Sequence, residues 1–328
     1  MTIKNEIDKN FPSNYRSDII NLKFREKFLR GTKIFMKDHL VKATVEGVRI
    51  FSAVTTNLVN EVVKRHDCYP VAAAALGRTM TGALLFAANL KNDEAITIKI
   101  QGDGPLGKIV ADAVPEGFTR GYVDNPHVDL PLNSKGKIDV AGGVGRNGLV
   151  SVTRFTGLKK NIVGSAEIVS GEIAEDLTNY LYVSEQTPSS IGLGVLVDTD
   201  LTIKAAGGFF VQPLPNVSED TLNRLESNLC AVNSVTDFVA SGLDAKEIIK
   251  KIFDGFDINF STTTDLQFRC HCSREKIEGV LMSLGRDDLQ SLIDDGHAEV
   301  NCQFCGKKYQ FTSEELKSLQ KNFFTPKH

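Results

Sequence analysis

Much that would mark an enzyme, a membrane protein or a secreted protein is missing from this chain. Only six cysteines occur in 328 residues. No apolar run reaches the ~18 to 20 residues that a membrane span requires, and the opening residues lack the apolar stretch of a secretory signal. Basic charge is not in excess either, with 38 Lys and Arg against 41 Asp and Glu. That balance leaves no overall field to hold phosphate backbones, so a nucleic-acid partner is not expected, nor is a membrane. These absences point to a reducing cytoplasmic setting, where clustered cysteines mean metal or redox chemistry rather than structural disulfides. At 41% apolar and 24% charged, the chain has the composition of a folded protein long enough for two domains with real cores.

Catalytic signatures are absent in the same way. There is no G-x-x-x-x-G-K-[ST] phosphate loop and no G-x-S-x-G nucleophile elbow. Two runs, "GDGPLG" (Gly102 to Gly107) and "GVGRNG" (Gly143 to Gly148), satisfy G-x-G-x-x-G. Both are followed by alternating segments, "KIVADAV" and "LVSVTRF", where a dinucleotide site needs a helix whose N-terminus faces the pyrophosphate. Asn147-Gly148 reads as a hairpin turn. "SREK" (Ser273 to Lys276) fits the S-x-x-K of serine acyl enzymes but has no S-D-N or K-T-G companion, and Ser273 reads as a helix N-cap. No enzyme is expected.

Residues 1–35 form an N-terminal extension unlike the rest, with eight Lys and Arg against four Asp and Glu. Glu6, Asp8, Asp18 and Glu26 argue against an acid-poor organelle presequence. Translation from Met36 is the alternative, since Arg30-Gly31 can be encoded as a purine-rich ribosome-binding sequence. Residues 36–216 read as an α+β core domain with one large mixed sheet: a hairpin turning at Glu46-Gly47, helices over "NLVNEVVKRH" and "VAAAALGRTMTGALLFAANL", then β-branched segments between Gly, Pro and Asn breaks, among them "KIDVAGGVG". The second helix, apolar nearly all round, should lie buried under the sheet.

Residues 217–265 read as a helical connector, with helices capped by Ser218 and Asp244. Its second half is apolar for a linker: Ile248, Ile249, Ile252, Phe253, Phe256, Ile258, Phe260, Leu266 and Phe268 fall within twenty-one positions. An amphipathic helix docked permanently on the core would account for them, and so would one that docks conditionally.

Residues 266–328 hold four of the six cysteines. Cys270 and Cys272 form C-x-C, and after twenty-nine intervening residues Cys302 and Cys305 form C-x-x-C followed by Gly306. Four thiolates are the set that a tetrahedral structural Zn2+ takes. In the C-x-x-C-G knuckle, backbone N–H groups can turn toward the sulfurs and Gly tolerates the bend. His271 and His297 are left out, because four sulfurs complete the shell. Cys68 and Cys230 stand alone and read as small core residues. Between the pairs, helices end at Gly285 and Gly296, a strand enters the knuckle, and Thr312 with Glu315 caps a last helix. With few large apolar side chains, this module should depend on its metal to fold. Its nearly balanced charge argues against a nucleic-acid-binding zinc ribbon.

C-x-C, a spacer near thirty and a C-terminal C-x-x-C, together with "GDGPLG", "GYVDNP", "GGVGRNGLVSVTR", "SEQTPSSIGLGV" and "GGFFVQPLP", resemble the redox-regulated heat-shock holdase family, the 33 kDa chaperonins. The resemblance runs from about Met36 to the C-terminus and has no counterpart for residues 1–35. It implies an ATP-independent chaperone of the cytoplasm that is inactive while one Zn2+ per chain binds Cys270, Cys272, Cys302 and Cys305. It further implies that oxidants form the disulfides Cys270-Cys272 and Cys302-Cys305, that zinc leaves, and that the connector unfolds, often with formation of a homodimer. Unfolding client proteins would then be held on the core sheet and the connector, with Ile252, Phe253, Phe256 and Phe260 as the expected switch and client surface and the three phenylalanines expected to be buried while zinc is bound.

Overall fold

The structure is a computed structural model that describes residues 37–157, 161–232 and 234–324; the expectations for residues 1–35 lie outside them. Strands β1 (His39–Val45) and β2 (Val48–Val54) form the expected hairpin. At the turn both Glu46 and Gly47 take positive φ, 42° and 84°, the backbone that a tight two-residue hairpin loop demands. Helix α1 (Thr56–His66) has no side-chain cap of its own from Thr55. Asp38 supplies one from outside, accepting from the N–H groups of Asn57 at 3.1 Å and Leu58 at 2.6 Å. Burial nevertheless pushes the Asp38 carboxyl up to about 6.

Helix α2 (Pro70–Ala87) starts on a proline, which fits the first turn because its missing N–H is not needed there. Its 18 residues are apolar enough to cross a membrane by composition, an exception to the reading that no run is so long, but 89% of it is buried in the protein. Small residues let neighbours close in on it: a Cβ on Gly77 would meet Val59 at 2.6 Å.

Two sheets, rather than the expected single one, surround this helix. The first runs in the order β10-β1-β2-β9-β8, with β8 (Ser190–Val197), β9 (Ile203–Pro213) and β10 (Asn259–Asp265). The second runs β11-β5-β4-β3-β6-β7, with β3 (Ala95–Gln101), β4 (Lys108–Ala113), β5 (Phe118–Val123), β6 (Leu149–Phe155), β7 (Ile162–Glu167) and β11 (Gln267–Phe268). Helix α2 packs on both, and Leu76, Met80, Ile98 and Ile109 among others join one contiguous core.

"VAGGV", expected within a strand, is a short helix, α3 (Val140–Val144), started by Asp139, whose carboxylate accepts from Gly142 N–H at 2.9 Å. Its glycines lie against the other Gly run: a Cβ on Gly104 would stand 2.4 Å from the Gly143 carbonyl. Asn147-Gly148 is therefore not a hairpin turn but the entry to β6, with Asn147 Nδ2 donating to Asp103 at 2.6 Å. The two G-x-G-x-x-G runs are a mutual packing device.

Helix α4 (Ile173–Val183) leads to β8. The connector supplies α5 (Glu219–Cys230), capped by Ser218, then α6 (Val235–Ala240), and α7 (Ala245–Ile252), which opens with a complete capping box of Asp244 and Glu247. The connector is not helical to its end, because β-branched "NFSTTTD" forms β10 and pairs antiparallel with β1. Cys230 is exposed, contrary to expectation, whereas Cys68 is buried.

The connector covers the face of the first sheet opposite α2. Leu40, Phe51 and Ala53 point to the main core, while Val41, Ala43, Val45, Val48 and Ile50, alternating with them, are buried just as fully. Helix α7 packs on β1 and β2 at this face and buries Ile248, Ile249 and Ile252. Phe253 is 1% exposed. Phe256 and Phe260, also expected to be buried, are half-buried, with the Arg224 guanidinium 4.1 Å and the Lys246 ammonium 4.6 Å from their ring centroids.

Phe253→Ser should therefore loosen α7, costing about 3 to 5 kcal/mol as buried aromatic truncations do. Limited proteolysis of the intact chain should cut residues 217–265 faster than in the parent, and an unchanged rate would contradict this packing.

Candidate metal centre

The C-terminal module is built on a small core of Leu281, Leu289, Ile293, Ala298, Tyr309, Phe311 and Leu316. Its elements follow the sequence closely: α8 (Arg274–Ser283), α9 (Arg286–Asp294), β12 (His297–Asn301), β13 (Lys308–Thr312) and α10 (Ser313–Phe324). Ser273 caps α8 by accepting from Lys276 N–H. Thr312 and Glu315 form the expected reciprocal pair, at 2.9 Å and 3.4 Å.

The strand pair β12–β13 turns through the C-x-x-C knuckle. Gly306 takes φ 70°, and its N–H donates to the Cys302 carbonyl at 2.8 Å. The N–H groups of Phe304 and Cys305 turn toward the Cys302 sulfur, and that of Lys307 toward Cys305. Cys270 and Cys272 come from the extended run between β11 and α8. All four sulfurs lie within 4.8 Å of one another, with Cys270 Sγ 3.7 Å from Cys302 Sγ and Cys272 Sγ 3.4 Å from Cys305 Sγ. Tetrahedral bonding to four thiolates at a Zn–S distance of about 2.3 Å requires sulfurs roughly 3.8 Å apart, so the donor set fits such an ion without rearrangement of the fold. The exposed His271 and His297 are not in the cluster. Ile252, Phe253, Phe256 and Phe260 lie in the connector and are no part of it.

Four thiols this close cannot all ionise without a cation among them, because each charge opposes the next. Burial pushes Cys302 and Cys305 up, Cys305 to about 12. Burial also works against Cys272, but hydrogen bonds from the Tyr309 hydroxyl and the neighbouring thiols bring it down to about 7. The Tyr309 hydroxyl donates to Cys272 Sγ at 3.1 Å. Sequence reading passed over this residue; the only signal was a tyrosine on the inward side of the alternating "KYQFT".

Residues 38–312 match the family model described as Hsp33 protein. The 33 kDa chaperonin of Oceanobacillus iheyensis is 45% identical over 288 residues, 87% of this chain and 100% of that one. That of Bacillus subtilis is 46% identical over 286 residues, 86% of this chain and 98% of that one. The crystal structure of the 33 kDa chaperonin (heat shock protein 33 homolog) from Thermotoga maritima superposes with a TM-score of 0.81 at 36% identity, covering 87% of this chain and 98% of that one.

Donors to metal-bound sulfurs matter nearly as much as the ligands, and their loss typically weakens metal about 10- to 100-fold. Tyr309→Phe should accordingly lose metal to a competing chelator at about tenfold lower chelator concentration than the parent. Equal competition curves would show that the hydroxyl does not act on the cluster.

Proposed function

The chain belongs to the Hsp33 family, a family of chaperones, and from that premise we propose that it is a holdase governed by the oxidation state of Cys270, Cys272, Cys302 and Cys305. In the reduced state the four thiolates hold one Zn2+, and clients are not bound. When bound, the ion contributes folding free energy, on the order of 10 to 16 kcal/mol in small zinc peptides, and keeps the sulfurs deprotonated. The observation that carries this reading is the clustering of all four sulfurs, with Cys270 two residues after the strand β11 that closes the connector.

Hydrogen peroxide takes two electrons from each pair of thiolates, forming one S–S bond, and with two protons from solvent it leaves as two waters. The family resemblance assigns the pairs as Cys270 with Cys272 and Cys302 with Cys305. The two sulfur contacts at 3.7 Å and 3.4 Å run between these arms, so peptide mapping of the oxidised chain is the measurement that assigns them. Either pairing removes the thiolate donors. The module's seven-residue core is too small to replace the folding energy thus lost.

The connector then leaves the first sheet. Val41, Ala43, Val45, Val48 and Ile50 lose their cover, and Ile252, Phe253, Phe256 and Phe260 come free with the departing segment. Unfolding proteins bind this combined apolar surface without ATP, and two exposed chains associate as a homodimer. The setting is the cytoplasm, whose reductants restore the thiols because neighbouring-cysteine disulfides are strained and readily reduced. Clients are held and not chemically altered, so the chain is not an enzyme.

Peroxide at elevated temperature should remove four thiols together with one zinc and raise suppression of client aggregation. Cys68, buried and with its thiol pushed up to about 12 by that burial, should stay reduced. Loss of zinc and four thiols with no gain in anti-aggregation activity would refute the redox-governed reading.

A further inference from the structure

Phe304 lies inside the C-x-x-C knuckle, between two of the four sulfur ligands, yet its side chain is seated on the core. Its ring meets Tyr122 of β5 edge-on, with centroids 5.1 Å apart. The Arg120 guanidinium, also on β5, lies 4.0 Å from the ring centroid. At the end of α1, His66 Nε2 contacts the Phe304 carbonyl at 3.1 Å, and burial keeps that imidazole below its usual range. Gly306 passes the same helix end so closely that a Cβ there would meet the Arg65 carbonyl at 3.4 Å. One aromatic residue of the knuckle thus occupies a socket made wholly by the core.

The socket is braced from behind. Asp112 on β4 accepts from Arg120 Nε at 2.8 Å and pairs with Arg120 Nη2 at 2.7 Å. Its other oxygen accepts from Thr97 of β3 at 2.6 Å. The nearby Cys270 side chain, like Asp112, favours the charged form of the Arg120 guanidinium. Arg120 therefore touches the C-x-x-C arm through Phe304 and interacts electrostatically with the C-x-C arm at Cys270.

We propose that Phe304 and its socket of Arg120, Tyr122 and His66 form the positioning link that ties the four-sulfur cluster to the core, so that a change in the knuckle is felt directly by β5 and α1. This rests on the redox-governed reading above and names the residues through which that regulation passes. The knuckle cannot reorganise for disulfide formation while Phe304 is clamped, because ring and sulfurs share a four-residue loop. The clamp slows thiol loss, and its release frees the edge of the second sheet. Arg is required over Lys, since only the planar guanidinium covers the ring while keeping two bonds to Asp112.

The test uses full-length, zinc-loaded, reduced protein and the variants Phe304→Ala, Phe304→Trp and Arg120→Lys. Zinc per chain is measured first, then the rate of thiol loss to peroxide and amide hydrogen exchange of β5 and the end of α1. Phe304→Ala and Arg120→Lys should keep one zinc per chain but lose thiols roughly three- to tenfold faster, the range expected for one cation–π contact. Exchange in residues 118–123 should rise in both, and Phe304→Trp should restore both readouts toward the parent. Parental thiol kinetics and exchange in Arg120→Lys would overturn the link, whatever happens to zinc in Phe304→Ala. Failure of the redox-governed reading is seen separately, as oxidised parent that gains no anti-aggregation activity.

Discussion

Eleven residues, Asn259 to Arg269, belong to both core sheets at once. As β10 they pair antiparallel with β1 at the edge of the first sheet, and as β11 they pair parallel with β5 at the edge of the second. Between the two strands Leu266 donates its N–H to the Asp38 carbonyl and buries its side chain in the main core. Arg269 N–H closes on the Thr119 carbonyl, and the next residue is Cys270. The chain therefore passes from holding both sheet edges into the sulfur cluster with no slack between, so the strand and the cluster constrain each other.

That coupling gives a physical basis for a conditional cover. The outward side chains of β10 are largely exposed, so the strand is held by backbone pairing and by its two ends rather than by burial of its own. One end is α7, packed through Ile248, Ile249, Ile252 and Phe253. The other is the module, whose small core is closed by contacts to Cys272 and Cys302. Loss of either end lengthens the loop that the strand must close and raises the entropy cost of keeping it in place. The face beneath α7, formed by Val41, Ala43, Val45, Val48 and Ile50, is apolar and buried, as a contiguous apolar patch on a folded protein usually is.

Local features were legible in the sequence. The caps at Ser218, Asp244, Ser273 and Thr312 and the hairpin at Glu46-Gly47 all appear in the structure where neighbouring residues dictate them, and the four clustered cysteines come together. What could not be read is non-local. "NFSTTTD" carries no mark of which edge it will join, and the division into two sheets depends on how strands pack around α2. "VAGGV" has strand-like neighbours, and it becomes helical where Asp139 caps it and Gly102 to Gly104 lie against it. At the sulfur cluster the four cysteines were legible, but the contacts of Tyr309, Phe304 and Arg120 were not, because they arise only when β13, the knuckle and β5 are brought together. Phe256 and Phe260 show the opposite error: an apolar pattern overstated burial where Arg224 and Lys246 cover the rings from solvent.

The central claim is that occupancy of the sulfur cluster, and not oxidation as such, keeps residues 259–269 on the two sheet edges. Amide hydrogen exchange on fully reduced protein, compared with metal bound and after removal by a chelator, tests it most directly. The account predicts that on metal removal β10, β11 and α7 lose protection together with β12 and β13, while β3 and β4 keep theirs. Protection lost only in the module, with β10 and β11 unchanged, would contradict it.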